Sequence, residues 1–137
     1  CGKRAKGAIM TLDFSMKAWQ ENLPALGPHQ ATITDIRFMP NDDITWMAIT
    51  WQLEGGAAID ELLGLDAPPD SPMLAKTGPG KRRINGLCEM HKVKPTFKSY
   101  DDIAATLIGK AATVVVAHKF KGGMDEPVIR GVSAPAE

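Results

Sequence analysis

Cys88 and His91 are the residues whose types and spacing come closest to metal chemistry. They stand three positions apart in the segment CEMH, a helical spacing that could offer two zinc ligands. No second pair with metal-ligand spacing accompanies them, because His29 and His118 are distant in the sequence. We therefore interpret Cys88 as a buried thiol beside a hydrogen-bonded histidine, and we predict no metal site and no cofactor.

The other candidate catalytic motifs do not match known motifs in their spacing or in their sequence context. The segment TGPGKRR lacks the G-x-x-x-x-G-K-[ST] spacing of a phosphate-binding loop and follows no predicted strand. A nucleophile at Cys88 would need a distant histidine that no surrounding motif supports. The carboxylate pairs at 42–43 and 101–102 fall in a turn and in the first turn of a helix, where capping and the helix dipole account for them. We therefore predict that the chain is not an enzyme.

Charge is divided unevenly along a chain that is neutral overall, with 16 basic and 16 acidic residues. Residues 40–75 contain seven acidic residues and no lysine or arginine. Residues 76–121 contain ten basic and three acidic residues, which gives a net charge of +7. Such a dipole would attract a polyanion to one side of the molecule. The alternative is that the two segments neutralise each other in the fold or at a subunit contact.

Length, cysteine content and hydropathy set the broad class. A chain of 137 residues suffices for one core, and two cysteines cannot form a disulfide framework. Without a signal peptide or an apolar run of about 20 residues, the chain is predicted to be soluble and cytoplasmic. Residues 1–10 have no methionine before Met10, and we interpret them as disordered, as left over from expression, or as an upstream extension. Residues 11–134 are then predicted to form a single domain.

Local patterns predict four strands and three helices. The segments at 31–38 and 44–53 are rich in β-branched and aromatic residues and flank a turn, and a valine-rich hairpin turns at Gly122 and Gly123. A short helix is predicted from Ser15, and two further helices near 81–92 and 99–109. Residues 54–80 carry four prolines and fading periodicity, so we expect a long acidic, proline-rich loop, with room for a helical turn at 57–63.

These elements favour a mainly β fold of about five antiparallel strands. Two hairpins too small to stand alone, separated by two short α-helices, suggest a strongly curved sheet or an OB-like barrel. Trp46 and Trp51 are five positions apart on one strand, so they face opposite sides of the sheet. One of them should be in the core.

Basic and aromatic residues interleave at both hairpins, a pattern typical of proteins that hold single strands with a basic groove and stacking rings. The alternative is that the rings of Phe38, Trp46, Trp51 and Phe120 all belong to the core. The candidate nucleic-acid-binding residues are Arg37, Phe38, Trp46, Trp51, Lys81, Arg82, Arg83, Lys110, Lys119, Phe120 and Lys121.

Several segments together resemble a family of small phage and prophage proteins that are regarded as single-stranded DNA-binding, with an OB-like barrel. They are HQATITDIRFMPNDDITWMAITWQLEGG, RRINGLCEMHKV, LIGKAATVVVAHKF and EPVIRGVSA, within residues 11–134. The resemblance implies binding of single-stranded DNA without sequence specificity, in phage or prophage replication or recombination. It implies partners among the phage or host proteins of those processes. It also implies that the hairpin with lysines at its tip forms one side of a groove that binds a polyanion. RNA as a ligand and homo-oligomerisation stay open.

The acidic segment supports a different class of function. A protein-interaction module could use residues 40–75, as an acidic adaptor, an inhibitor or a DNA mimic, to occupy a basic host or phage protein. Oligonucleotide binding with a steep salt dependence would favour the first hypothesis, and retention of a basic protein without DNA binding would favour the second.

Overall fold

The computed structural model describes residues 23–136, apart from the side chains at positions 121 and 124. A short 3-10 helix, Leu74–Thr77, leads into the first described helix. The predicted helix from Ser15, and the interpretation of residues 1–10, lie outside the described residues. The elements are β1 (Gly27–Pro40), β2 (Thr45–Leu53), β3 (Ala58–Asp66), α1 (Gly78–Met90), α2 (Tyr100–Leu107), β4 (Ala111–Lys121) and β5 (Met124–Ser133).

The five strands form one antiparallel sheet in the order β3-β2-β1-β4-β5. Three hairpin-connected strands followed by a fourth that returns beside the first make a Greek key. The edge strands β3 and β5 bring Cα atoms within 8 Å of each other, so the sheet curls into a small barrel-like fold. The predicted mainly β class, with about five antiparallel strands and two short helices between β3 and β4, is confirmed.

The core follows the period-2 alternation of the strands. On β2 the large apolar side chains at every second position point inward. On β1 a bulge between Ile33 and Asp35 shifts the alternation by one position, so Ile33 and Ile36 both point inward. Helices α1 and α2 add their apolar stripes to the same cluster. The fully buried large side chains include Ile33, Met47, Ile49, Trp51, Leu87, Cys88, Leu107, Val114 and Val116.

Two predicted local features around the helices are confirmed. The Asp102 backbone N–H donates to the Ser99 hydroxyl at 3.1 Å, which caps α2 as its sequence indicates. Cys88 is buried, and burial raises the pKa of its thiol. His91 Nε2 lies 2.8 Å from the Ala111 carbonyl oxygen. Among the described residues, no cluster of histidine, cysteine, aspartate or glutamate could hold a metal ion.

The prediction of a long loop over residues 54–80 is wrong for most of that range. Residues 58–66 form strand β3 rather than a loop with a helical turn, and α1 begins at Gly78. Irregular backbone between these elements is confined to residues 67–73, ahead of the 3-10 helix. No helix within residues 23–136 is long and apolar enough to cross a membrane.

Candidate nucleic-acid interface

The outward side of β1, β2 and β3 forms a surface that we call the wall, defined by Arg37, Met39, Trp46, Thr50, Asp60 and Leu62. Trp46 lies opposite Met39 in the β1–β2 register and is half-buried. Met39 is 43% exposed and Leu62 is 59% exposed, although both lie on a sheet face. The wall therefore presents an aromatic and apolar surface to solvent.

Charged groups at the centre of the wall already pair with each other. Arg37 Nη2 donates to Asp60 Oδ2 at 3.1 Å, and Arg37 Nε lies 3.7 Å from Asp35 Oδ2. The Thr50 hydroxyl also donates to Asp60, at 2.7 Å. This hydrogen bond, and after it the Arg37 guanidinium, hold the pKa of Asp60 below its ordinary value. Because these side chains are about half exposed, the ion pairs are weak and an incoming phosphate can compete for Arg37.

The predicted stacking role of Trp51 is wrong, because its side chain is fully buried. Its indole Nε1 donates to Glu61 Oε1 at 3.2 Å inside the barrel. Arg83, which was also predicted to bind nucleic acid, donates hydrogen bonds to the same carboxylate from Nε at 3.0 Å and from Nη2 at 2.6 Å. The Glu61 side chain is only 7% exposed, so this bidentate pair fixes α1 against β3. The structure thus places Trp51 in the core and engages the partly buried Arg83 in an ion pair that stabilises the fold.

The tip of the β4–β5 hairpin projects beyond the rest of the sheet. Strand β1 begins at Gly27 opposite Val116, so residues 117–128 form a two-stranded extension that we call the arm. Phe120 on the arm is 70% exposed. The two turn glycines have φ of 63° and 87°, which confirms the predicted glycine turn.

The arm is not the purely basic tip that the sequence suggested. Lys119 is exposed but stands directly opposite Glu126 in the β4–β5 register, and Phe120 stands opposite Asp125. Opposite charges at facing positions attract each other, so the field of Lys119 is partly offset. The side chain of Lys121 lies outside the described part of the structure.

Several predicted basic residues lie on the helical side. Lys81 and Arg82 are exposed on α1, and no ion pair among the described residues involves either of them. Lys110 is half-buried where α2 leads into β4, and its carbonyl oxygen accepts from the Ile33 N–H. Two of the three cations predicted on α1 therefore remain available to an anion.

Lys76 is a basic residue near the wall that the sequence did not single out. A Cβ placed on Gly64 would collide with the Lys76 carbonyl oxygen, and Gly64 is the register partner of Trp46 on β3. The backbone of Lys76 thus lies beside the wall, and its side chain is exposed. No sequence signal connects positions 64 and 76, because the contact depends on β3 being a strand.

An aromatic pair lies near Met39, at the end of β1. The ring centroids of Phe38 and Tyr100 are 4.8 Å apart with an angle of 17° between the ring planes. Phe38 was predicted to bind, but it is half-buried and packs on the core from the inward side of β1. Tyr100 was not predicted, because its position at the start of α2 was explained by capping alone.

The candidate residues thus fall into three groups. Arg37 and Trp46 lie on the wall, Lys81 and Arg82 on α1, and Lys119 and Phe120 on the arm. No protein-family model matches the chain, and no curated protein is significantly similar to it in sequence. The resemblance to the phage family therefore stays a prediction.

Proposed function

We propose that this protein binds single-stranded nucleic acid, without sequence specificity, along the wall. The observation that carries the proposal is the exposed apolar and aromatic surface of Trp46, Met39 and Leu62 on β1, β2 and β3 of a Greek-key barrel. Barrels of the OB type bind oligonucleotides on the face of strands 2 and 3, between the loops that follow strands 1 and 4. That comparison of folds is an analogy, and the site itself adds a half-exposed indole for base stacking and Arg37 for a phosphate.

The length of the surface suits a strand of several nucleotides. Met39 and Gly27 are twelve positions apart on β1, which sets an upper limit of about 40 Å on its length, because the strand has a bulge and the sheet curls. The arm extends beyond Gly27, with Phe120 as a second exposed ring. A site of this length agrees with the roughly 4 to 16 nucleotides that one OB fold occupies. Phe120 shares the parity of the buried Val114 and Val116, so it faces the inward side of the sheet, and Trp46 is the stacking ring of the wall itself.

The sequence resemblance extends this proposal to a biological setting. It favours single-stranded DNA over RNA as the ligand, in phage or prophage replication or recombination inside the cell. Proteins of those processes are then the expected partners.

A second candidate function is favoured by the acidic groups on and beside the wall. Asp35 and Asp60 flank Arg37, and Asp42 and Asp43 are exposed in the turn between β1 and β2. This excess of negative charge beside apolar side chains is the complement of a basic protein surface. An acidic adaptor would use the same wall without binding nucleic acid.

Substitution of the two tryptophans of β2 tests the proposal with a matched control. Trp46→Ala should weaken binding of a fluorescent thymidine homopolymer by about 5- to 100-fold, because one base loses its stacking surface. Trp51→Phe should lower the melting temperature, since it removes the indole that bonds Glu61, but should leave the affinity of the folded protein unchanged. Fluorescence anisotropy measures both affinities. A parent protein that does not bind the homopolymer at low salt contradicts the proposal and favours the acidic adaptor.

A further inference from the structure

An open hollow lies beside the stacked rings, where the chain from α1 enters α2. It is lined by Phe97, Lys98, Ser99, Tyr100 and Ile103 and has a volume of about 360 Å³. Phe97 is half-buried and packs against the core, while Tyr100 is 36% exposed. The side chains that line the hollow therefore include aromatic and aliphatic groups that stay accessible to solvent.

Tyr100 is held in place from two directions. Its ring stacks on Phe38 at 4.8 Å, and its hydroxyl approaches Asp66 Oδ2 at 3.5 Å. The Ser99 cap fixes the first turn of α2, on which Tyr100 stands. A ring immobilised in this way loses little conformational entropy when a second planar group stacks beside it.

The lining of the hollow has one cation, Lys98, and the Asp66 carboxylate lies near it at the Tyr100 hydroxyl. Lys98 is exposed, and no ion pair within residues 23–136 involves it. Lys92 and Lys94 lie in the same connection between the helices, and residues 90–100 contain no acidic side chain. Asp101 and Asp102 follow on α2, but one oxygen of Asp102 accepts the Lys98 backbone N–H at 3.0 Å. A planar group that carries an adjacent negative charge suits this arrangement.

We propose that the hollow binds one nucleotide of a single strand, with its base against Phe97 and Tyr100 and its phosphate at Lys98. This inference rests on the proposed function and extends the interface beyond the wall. Phe38 and Met39 are consecutive on β1 and face opposite sides of the sheet. A strand that leaves the wall at Met39 would have to continue around this end of the sheet to reach the Phe38–Tyr100 pair on the inward side.

The chain contains a single tyrosine, which makes the hollow directly observable. Full-length protein labelled with 3-fluorotyrosine should give one ¹⁹F resonance, and titration with a thymidine homopolymer should shift it in step with binding measured by anisotropy. Thymidine monophosphate should shift it only at much higher concentration, because a free nucleotide lacks the contacts of the strand with the wall. Binding of the homopolymer with no change in the Tyr100 resonance overturns the inference but leaves the proposed function intact. Absence of any binding contradicts the proposed function itself.

Substitutions in the lining of the hollow separate the contribution of base stacking to binding from the contribution of charge. Phe97→Ala and Tyr100→Ala should each weaken homopolymer binding by about 5- to 100-fold with an unchanged salt dependence, and Tyr100→Phe should retain the parent affinity. Lys98→Ala, at an exposed position where folding is unaffected, should lower the slope of log K against log salt by about 0.7. Parent-like affinity in both Phe97→Ala and Lys98→Ala would overturn the inference.

Discussion

Asp60 and Glu61 are neighbouring carboxylates on β3 with opposite roles. Glu61 points inward, where the indole of Trp51 and the guanidinium of Arg83 satisfy both of its oxygens. Asp60 points outward, where it holds Arg37 on the surface of the wall. The alternation of a strand alone separates them, so one acid stabilises the fold and the other limits how much positive charge the wall presents.

Neutralising Asp60 should therefore strengthen nucleic-acid binding. Asp60→Asn removes a negative charge from the wall and releases Arg37, so we expect tighter homopolymer binding at low salt and a slope of log K against log salt that is steeper by about 0.7. Titration by anisotropy at several salt concentrations measures both quantities.

Thr50→Val is the matched control for that substitution. It removes the hydroxyl that bonds Asp60 but keeps the charge, so the pKa of Asp60 should rise toward the ordinary value of an aspartate while the carboxyl stays ionised at neutral pH. Nucleic-acid affinity at pH 7 should then match that of the parent. Weaker binding in Asp60→Asn would mean that Asp60, rather than Arg37, contacts the ligand.

Strand β3 shows where sequence patterns were insufficient. Its inward positions are Ile59, Glu61, Leu63 and Leu65, so a charged residue interrupts the apolar alternation that identifies strands. Burial of Glu61 becomes favourable through Arg83, 22 positions away, together with the indole of Trp51, and no local pattern reveals such partners. The bounds of β2, α1 and α2 were predicted to within about three residues, whereas β1 begins at Gly27, four residues before its predicted start.

The two tryptophans of β2 show the opposite situation. Period-2 alternation put Trp46 and Trp51 on opposite faces, which is confirmed. The sequence also indicates which of the two is buried, because the apolar residues Met47, Ile49 and Leu53 share the parity of Trp51. The positions that share the parity of Trp46 are alanine, threonine and glutamine, which are typical of an outward face. The burial of Trp51 was therefore predictable.

The contact between β3 and the start of α1 depends on two glycines that leave room for backbone. A Cβ on Gly64 would collide with the Lys76 carbonyl oxygen, and a Cβ on Gly80 would collide with the Gly64 carbonyl oxygen. Gly64→Ala should therefore lower the free energy of unfolding by about 1 to 3 kcal/mol. Chemical denaturation measures the change.

Gly86→Ala is the control for that substitution, because Gly86 lies inside α1 with open space around its Cβ position. The alanine should stabilise the protein by about 0.5 to 1 kcal/mol through its higher helix propensity. Equal effects of the two alanines would contradict the close packing of β3 on α1.

At the scale of the whole molecule, the acidic and basic segments neutralise each other only in part. The buried pair Glu61–Arg83 joins the two segments, and Arg37–Asp60 offsets charge on the wall. Other basic residues of the second segment are exposed and take part in no ion pair among the described residues: Lys76, Lys81, Arg82 and Lys98. They follow the helical side, which meets the wall at Lys76 and the aromatic pair at Lys98. A polyanion on the wall would thus have a basic border.

The salt dependence of homopolymer binding tests the central claim most directly. A strand that contacts three or four of these cations releases counterions on binding, so log K should fall against log salt with a slope of about −2 to −3. Anisotropy titration of the full-length protein with a labelled thymidine homopolymer, between low and physiological salt, gives this slope. Binding that is absent at low salt, or that shows no dependence on salt, would contradict the account.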